Sequence, residues 1–160
     1  MKNVLFLCTG NSCRSILAEA TFNALAPAGM RAISAGSRPA GYVHPRSIAL
    51  LRREGIPTAG LYSKSWDALP FAPDLVVTVC ASAAGETCPA YLAPVVRAHW
   101  GVEDPADAGG SDAAIDCAFE HAYRILRARI EAFLALPGNL ARDEPAAFQA
   151  ELARIGRLSV

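Results

Sequence analysis

The chain has 160 residues, of which 52% are hydrophobic, enough for one domain with a buried core. Lysine and arginine (15) balance aspartate and glutamate (15), so no global field recruits nucleic acid or anionic lipid. No apolar run spans a bilayer or forms a secretory signal, and five cysteines without an export signal read as cytoplasmic thiols, not a disulfide scaffold.

In chain order, an apolar strand, Val4 to Leu7, ends on Cys8 and runs through Thr9-Gly10-Asn11-Ser12-Cys13-Arg14-Ser15 into helical sequence from Ile16 to Leu25. Ala26-Pro27-Ala28-Gly29 stops that helix. Arg31 to Ser37 reads as a second strand, and His44 to Gly55 as a helix with Pro45 in its first turn. Pro73 to Cys80 is β-branched and continuous, the pattern of a strand buried on both faces. Ala81 to Pro89 is small and polar. Val95 to Trp100 is a further strand, and Val102 to Asp107 a loop. Ser111 or Asp112 caps a helix with its apolar stripe on Ile115, Phe119, Ala122, Leu126, Ile130 and Phe133. It stops at Pro137-Gly138, and a last helix starts at Asp143-Glu144-Pro145 with Phe148, Leu152 and Ile155 on one face. The expected organisation is one domain over residues 1–160, with a core over 1–136 and a C-terminal helical extension over 143–158. The alternation predicts an α/β fold, a parallel sheet with helices on both faces, binding ligands beyond the strand C-termini. Cys8, Cys80 and Asp104 all fall at or just past such ends.

Strand, tight polar loop and helix N-terminus in succession form an anion cradle: loop amides turn inward and the helix dipole favours negative charge. Gly10 is expected to supply positive φ, which Asn11 also tolerates. Arg14 offers a planar fork for two oxygens. Cys8 would lie at the floor, kept as thiolate by the positive field, with Ser15 donating its hydroxyl to the sulfur. Cys13 is expected to be structural, His44 to serve its helix start, and Cys117 to have no chemical role. Among the histidines and cysteines no metal-ligand spacing occurs.

Cys8 to Ser15 resembles the signature loop of the low-molecular-weight protein tyrosine phosphatase superfamily, and Asn11-Ser12-Cys13-Arg14-Ser15 is similar to its arsenate reductases. The resemblance runs to about Ala135. It implies a three-layer α/β/α fold with a four-stranded parallel sheet and anion binding by Thr9, Gly10, Asn11, Ser12, Cys13 and Arg14. Asp104-Pro105 matches the general-acid loop, with His99 and Trp100 supporting it. Members specific for phosphotyrosine carry Tyr after this Asp-Pro, where this chain has Ala106-Asp107.

The text around Cys80 and Cys88 is similar to thioredoxin-coupled arsenate reductases, although Ala81 stands where relatives often have an acidic residue. The implied chemistry is attack of Cys8 on arsenate, then of Cys80 on Cys8, then of Cys88 on Cys80, with phosphate or sulfate as competitors. It needs no organic cofactor but an external reductant, thioredoxin or of glutaredoxin type, acting on a monomer. The resemblance also implies loop support from Asn11, Glu19 and Ser34, where some members hold potassium; here the ammonium of Lys64 is expected to replace that metal. Two rivals remain open at this level. A phosphatase has no use for Cys80 and Cys88, and a thiol-based arsenite-binding protein has no use for Arg14 and Asp104.

Overall fold

The computed structural model describes residues 2–86 and 89–160. Strand β1 (Asn3–Leu7) lies at the centre of a four-stranded sheet of order β2-β1-β3-β4, with β2 at Arg31–Ala35, β3 at Leu75–Thr78 and β4 at Val96–His99. All three pairings are parallel. The strands are shorter than the sequence pattern suggests, because Pro73 and Asp74 precede β3, and Val79 and Cys80 leave it. Val4 to Leu7 and Leu75 to Thr78 are buried throughout, as a sheet covered on both faces requires.

Helices flank the sheet: α1 (Arg14–Leu25), α2 (Pro45–Arg53), α3 (Ala81–Gly85), α4 (Asp112–Leu134), α5 (Leu140–Asp143) and α6 (Pro145–Ile155). His44 caps α2, its Nδ1 accepting from Arg46 N at 3.1 Å, while Ser111 caps α4 through Ala114 N. Helix α1 has a low amphipathic contrast in its sequence because Ser15 to Phe22 are all buried. An aromatic chain ties these layers together. Phe6 meets Phe22 and Trp100, Trp100 meets Phe133, and Phe133 meets Phe148 of α6, at centroid separations of 6.0–6.4 Å. Phe148, Leu152 and Ile155 are buried in the same core, so the C-terminal helix packs as part of this layer.

Two elements escaped the sequence pattern. Helix α5 is a single turn beyond the Pro137-Gly138 break. Helix α3 occupies part of the stretch read as merely small and polar. Its alanines favour helix, and its cap is a cysteine: Cys80 Sγ accepts from Ala83 N at 3.3 Å. Among the described residues no helix is long and apolar enough to cross a membrane.

Candidate active site

The turn after β1 is held from outside by its carbonyls. Thr9 O accepts from Arg38 N, Gly10 O from Ala40 N and Ser12 O from His44 N, at 2.8–3.1 Å. A planar trans peptide points its N–H opposite its C=O, so the amides of Gly10 and Cys13 face inward. Among the described residues neither has an acceptor, nor do the first amides of α1, whose N-cap Cys13 makes no side-chain cap bond. Gly36 runs against the back of this turn, where a Cβ would collide with the carbonyl oxygens of Cys8 and Thr9.

The positive φ falls on Asn11 (44°), not on Gly10, correcting the sequence expectation. Asn11 can bear it because its fully buried side chain is bonded at both ends. Its Oδ1 accepts from Lys64 N at 2.8 Å and its Nδ2 donates to Ser15 Oγ at 2.9 Å. Ser15 Oγ takes this bond on a lone pair, which leaves its own hydrogen to give, and no hydrogen bond joins it to Cys8 among the described residues; in this state Ser15 supports the loop.

Arg14 reaches across to the loop after β4. Its Nη1 donates to Val102 O at 2.8 Å, and its Nη2 lies 3.3 Å from Asp104 Oδ2. Asp104 Oδ1 accepts from Ala106 N, fixing the carboxylate at the start of a 3-10 turn over Pro105–Asp107. Arg14 Nε and Ser12 Oγ are buried without a protein partner among the described residues. Together with the inward amides they supply donors suited to a tetrahedral oxyanion.

Cys8 and Cys80 are both buried and interact through a side-chain hydrogen bond. That bond, aided by Thr9 N at 3.5 Å and Ala83 N at 3.3 Å, holds the Cys80 thiol down at about 5 against the opposing effect of burial. The same bond to Cys80, then burial, pushes the Cys8 thiol up, with only Arg14 pulling it down. Against the thiolate expected on Cys8, burial and the neighbouring Cys80 thus act to keep this sulfur protonated in this state, while Arg14 acts for it. The balance favours charge on Cys80, which two backbone donors meet, over charge on Cys8. The Thr9 amide, expected on the anion, is committed to Cys80. Burial pushes the Cys13 thiol up to about 11, which leaves it protonated and inert at neutral pH. Cys117 is exposed on α4, and Cys88 lies outside the described residues.

Lys64 is 6% exposed, and its Nζ donates to Ser34 O (2.9 Å), Tyr62 O (3.1 Å) and Glu19 Oε1 (3.4 Å). Ser34 N and Oγ also donate to Glu19 Oε1. The Lys64 ammonium thus lies beside Glu19 and Ser34, the two side chains expected to support the loop. Among the described residues no cluster of ligating side chains suits a metal.

Sequence reasoning missed two residues here. Buried Arg129 donates to Trp100 O, Gly101 O and Leu158 O, tying the root of the Asp104 loop to α4 and the chain beyond α6. Its place three residues after Leu126 and four before Phe133, on the apolar stripe of α4, is the signal that could have found it. Glu86 accepts from Thr9 Oγ1 at 2.7 Å, a lone acid in a small-residue stretch. Trp100 supports the same loop from below, its Nε1 donating to Leu152 O.

A profile of the low molecular weight phosphotyrosine protein phosphatase family matches residues 3–146. The arsenate reductase of Halalkalibacterium halodurans is 37% identical over 133 residues, covering 82% of this chain and 94% of the relative. A solved arsenate reductase in the phosphate binding state superposes with a TM-score of 0.70 at 27% identity, over 84% of this chain and 98% of that one. The Corynebacterium glutamicum thioredoxin-dependent arsenate reductase gives 0.58 at 26% identity, over 79% of this chain and 59% of that one. The chain belongs to the low molecular weight phosphotyrosine protein phosphatase family, and arsenate reductases are among its relatives.

Proposed function

We propose that this chain is an arsenate reductase that converts arsenate to arsenite at the expense of an external thiol reductant. The observation that carries this reading is the pairing of Cys8 with Cys80 beside an amide-lined loop, with Arg14 and Asp104 at its rim. A phosphatase requires one of these thiols; a two-electron reduction requires both.

Arsenate binds to the inward amides and to Arg14, whose fork exchanges part of its hold on Asp104 for the anion. The proton of Cys8 passes along its hydrogen bond to the Cys80 thiolate, freeing the Cys8 sulfur to attack arsenic. Asp104 assists the departing oxygen, which leaves as water. The proton on Cys80 then goes to an arsenic oxygen, and the Cys80 sulfur attacks Cys8. The Cys8–arsenic bond breaks with its electron pair remaining on arsenic, giving arsenite and a Cys8–Cys80 disulfide. The sum is arsenate plus two thiols yielding arsenite, one disulfide and water. Cys88 is assigned to the next exchange, attacking Cys80 and releasing Cys8, with thioredoxin reducing the resulting Cys80–Cys88 bond.

Asn11, Glu19, Ser34, Ser15 and Lys64 act by bracing the loop. The test is a mass spectrum of the reduced protein after one equivalent of arsenate. One disulfide per chain, Cys80–Cys88 with Cys8 returned to the thiol, and release of one arsenite is the expected result. Unoxidised thiols with free phosphate from an aryl phosphate would support the phosphatase, and arsenite held without turnover would support a binding protein.

A further inference from the structure

One charged group at this site has no part in the chemistry just described. Glu86 closes α3 as its C-cap, and its Oε1 accepts from Thr9 Oγ1 at 2.7 Å. The same hydroxyl oxygen lies 3.8 Å from Cys80 Sγ. A threonine hydroxyl has one hydrogen, and a short bond to a carboxylate is a charge-assisted one. While Glu86 holds that hydrogen, Thr9 cannot also give it to the sulfur. The near donors to Cys80 are then backbone N–H groups, Thr9 N at 3.5 Å and Ala83 N at 3.3 Å, with the Thr9 oxygen standing off at 3.8 Å.

We propose that Glu86 is a positioning residue for Cys80: by keeping the Thr9 hydroxyl turned away from the sulfur, it preserves the nucleophilicity of the second thiol. The inference rests on the thiol-relay reading of the site. The step it governs is the one in which the Cys80 electron pair forms the bond to Cys8 while the pair of the Cys8–arsenic bond stays on arsenic. A thiolate that gains a hydroxyl donor loses basicity, and its rate of attack falls with about half that loss on a logarithmic scale. One added donor changes acidity by about one to two pH units, so attack slows roughly three- to eightfold. The negative charge of Glu86 acts in the same direction, because a nearby carboxylate keeps the thiolate basic.

The experiment follows Cys8–Cys80 disulfide formation in single turnovers of the Cys88→Ser protein, with arsenate in one arm and the uncharged oxidant diamide in the other. Glu86→Ala, Glu86→Gln, Thr9→Val and the Glu86→Ala/Thr9→Val double variant are compared, each with its thermal midpoint recorded. Glu86→Ala is expected to slow both arms roughly three- to eightfold. Glu86→Gln, whose amide oxygen still accepts from Thr9, retains most of the rate. In the Thr9→Val background, Glu86→Ala changes the rate less than twofold. An unchanged or faster Glu86→Ala protein, or the same slowing without the Thr9 hydroxyl, overturns the inference. Arsenate that never oxidises the pair, while the diamide arm shows the expected pattern, overturns the arsenate reading and leaves the Glu86 inference standing.

Discussion

Lys64 and Glu19 form an ion pair inside the protein, Nζ 3.4 Å from Oε1, with both side chains at least nine-tenths buried. Each charge has further partners: Ser34 O and Tyr62 O for the ammonium, Ser34 N and Oγ for the carboxylate. The backbone N–H of the same lysine holds Asn11, the residue at positive φ in the anion loop. Loop conformation and buried charge are therefore coupled through one residue.

The consequence for ion dependence follows directly. Replacing potassium by a large organic cation at constant ionic strength should leave arsenate turnover unchanged. Lys64→Met should leave Glu19 buried without a cation and lower stability by about 3–5 kcal/mol, read by denaturant unfolding. Strong, specific potassium activation of the wild-type protein would contradict the arrangement.

The loop donors are matched to tetrahedral oxyanions, not to arsenic. Phosphate and sulfate should compete with arsenate, and an activated aryl phosphate should be hydrolysed slowly. That hydrolysis needs only Cys8, Arg14 and Asp104, so it should survive Cys80→Ser and vanish in Cys8→Ser. Equal loss in both variants would count against a shared site.

The low value of the Cys80 thiol carries a stability consequence. It titrates at about 5 in the fold, against about 8.5 for an unfolded cysteine. Between those values the unfolded chain binds more protons, so through this group stability rises with pH. The contribution is complete above the unfolded value and is lost as pH falls through about 5. Cys8, pushed up in the fold, contributes the opposite slope only as pH approaches the unfolded value of about 8.5. The stability difference between wild type and Cys80→Ser should thus grow from pH 5.5 to pH 8 in denaturant titrations, where these two values mark roughly the window ends. Ultraviolet thiolate absorbance should be lost with Cys80 and not with Cys13.

How far the sequence could be read depended on whether a feature was written in local pattern. The strand-loop-helix from Val4 to Leu25 and the stripes of α4 and α6 are periodic or motif-like, and the structure has them. The positive φ went to Asn11 because a lysine 53 residues away supports its side chain, a contact no local signal carries. Likewise, the loop's field alone favours a Cys8 thiolate, but two backbone donors converge on Cys80 from different segments. The Lys64–Glu19 pair was legible from the resemblance, since a cation was expected beside Glu19 and Ser34.

The relay itself predicts a change in α3. Cys80 caps this five-residue helix twice over, its Sγ accepting from Ala83 N and its carbonyl from Ala84 N at 3.2 Å. So short a helix is marginal without its tertiary supports. Once Cys80 is in a disulfide its sulfur is no longer a charged acceptor, and loss of a helix cap costs about 0.5–2 kcal/mol. Cys80 and Cys88 are separated by seven residues, and a disulfide needs their Cα atoms about 4.4–6.8 Å apart. A continuous helix across that interval would separate them by about 12 Å along its axis, and an extended chain by more, so the stretch must fold back on itself. Small side chains and Gly85 permit this. Hydrogen exchange at Ala83 and Ala84 should therefore be faster in the oxidised protein than in the reduced one. Cys88→Ser should complete one turnover, stall as the Cys8–Cys80 disulfide and fail to cycle with thioredoxin. Multiple turnovers of Cys88→Ser with thioredoxin as sole reductant, or equal exchange in both redox states, would end the relay model.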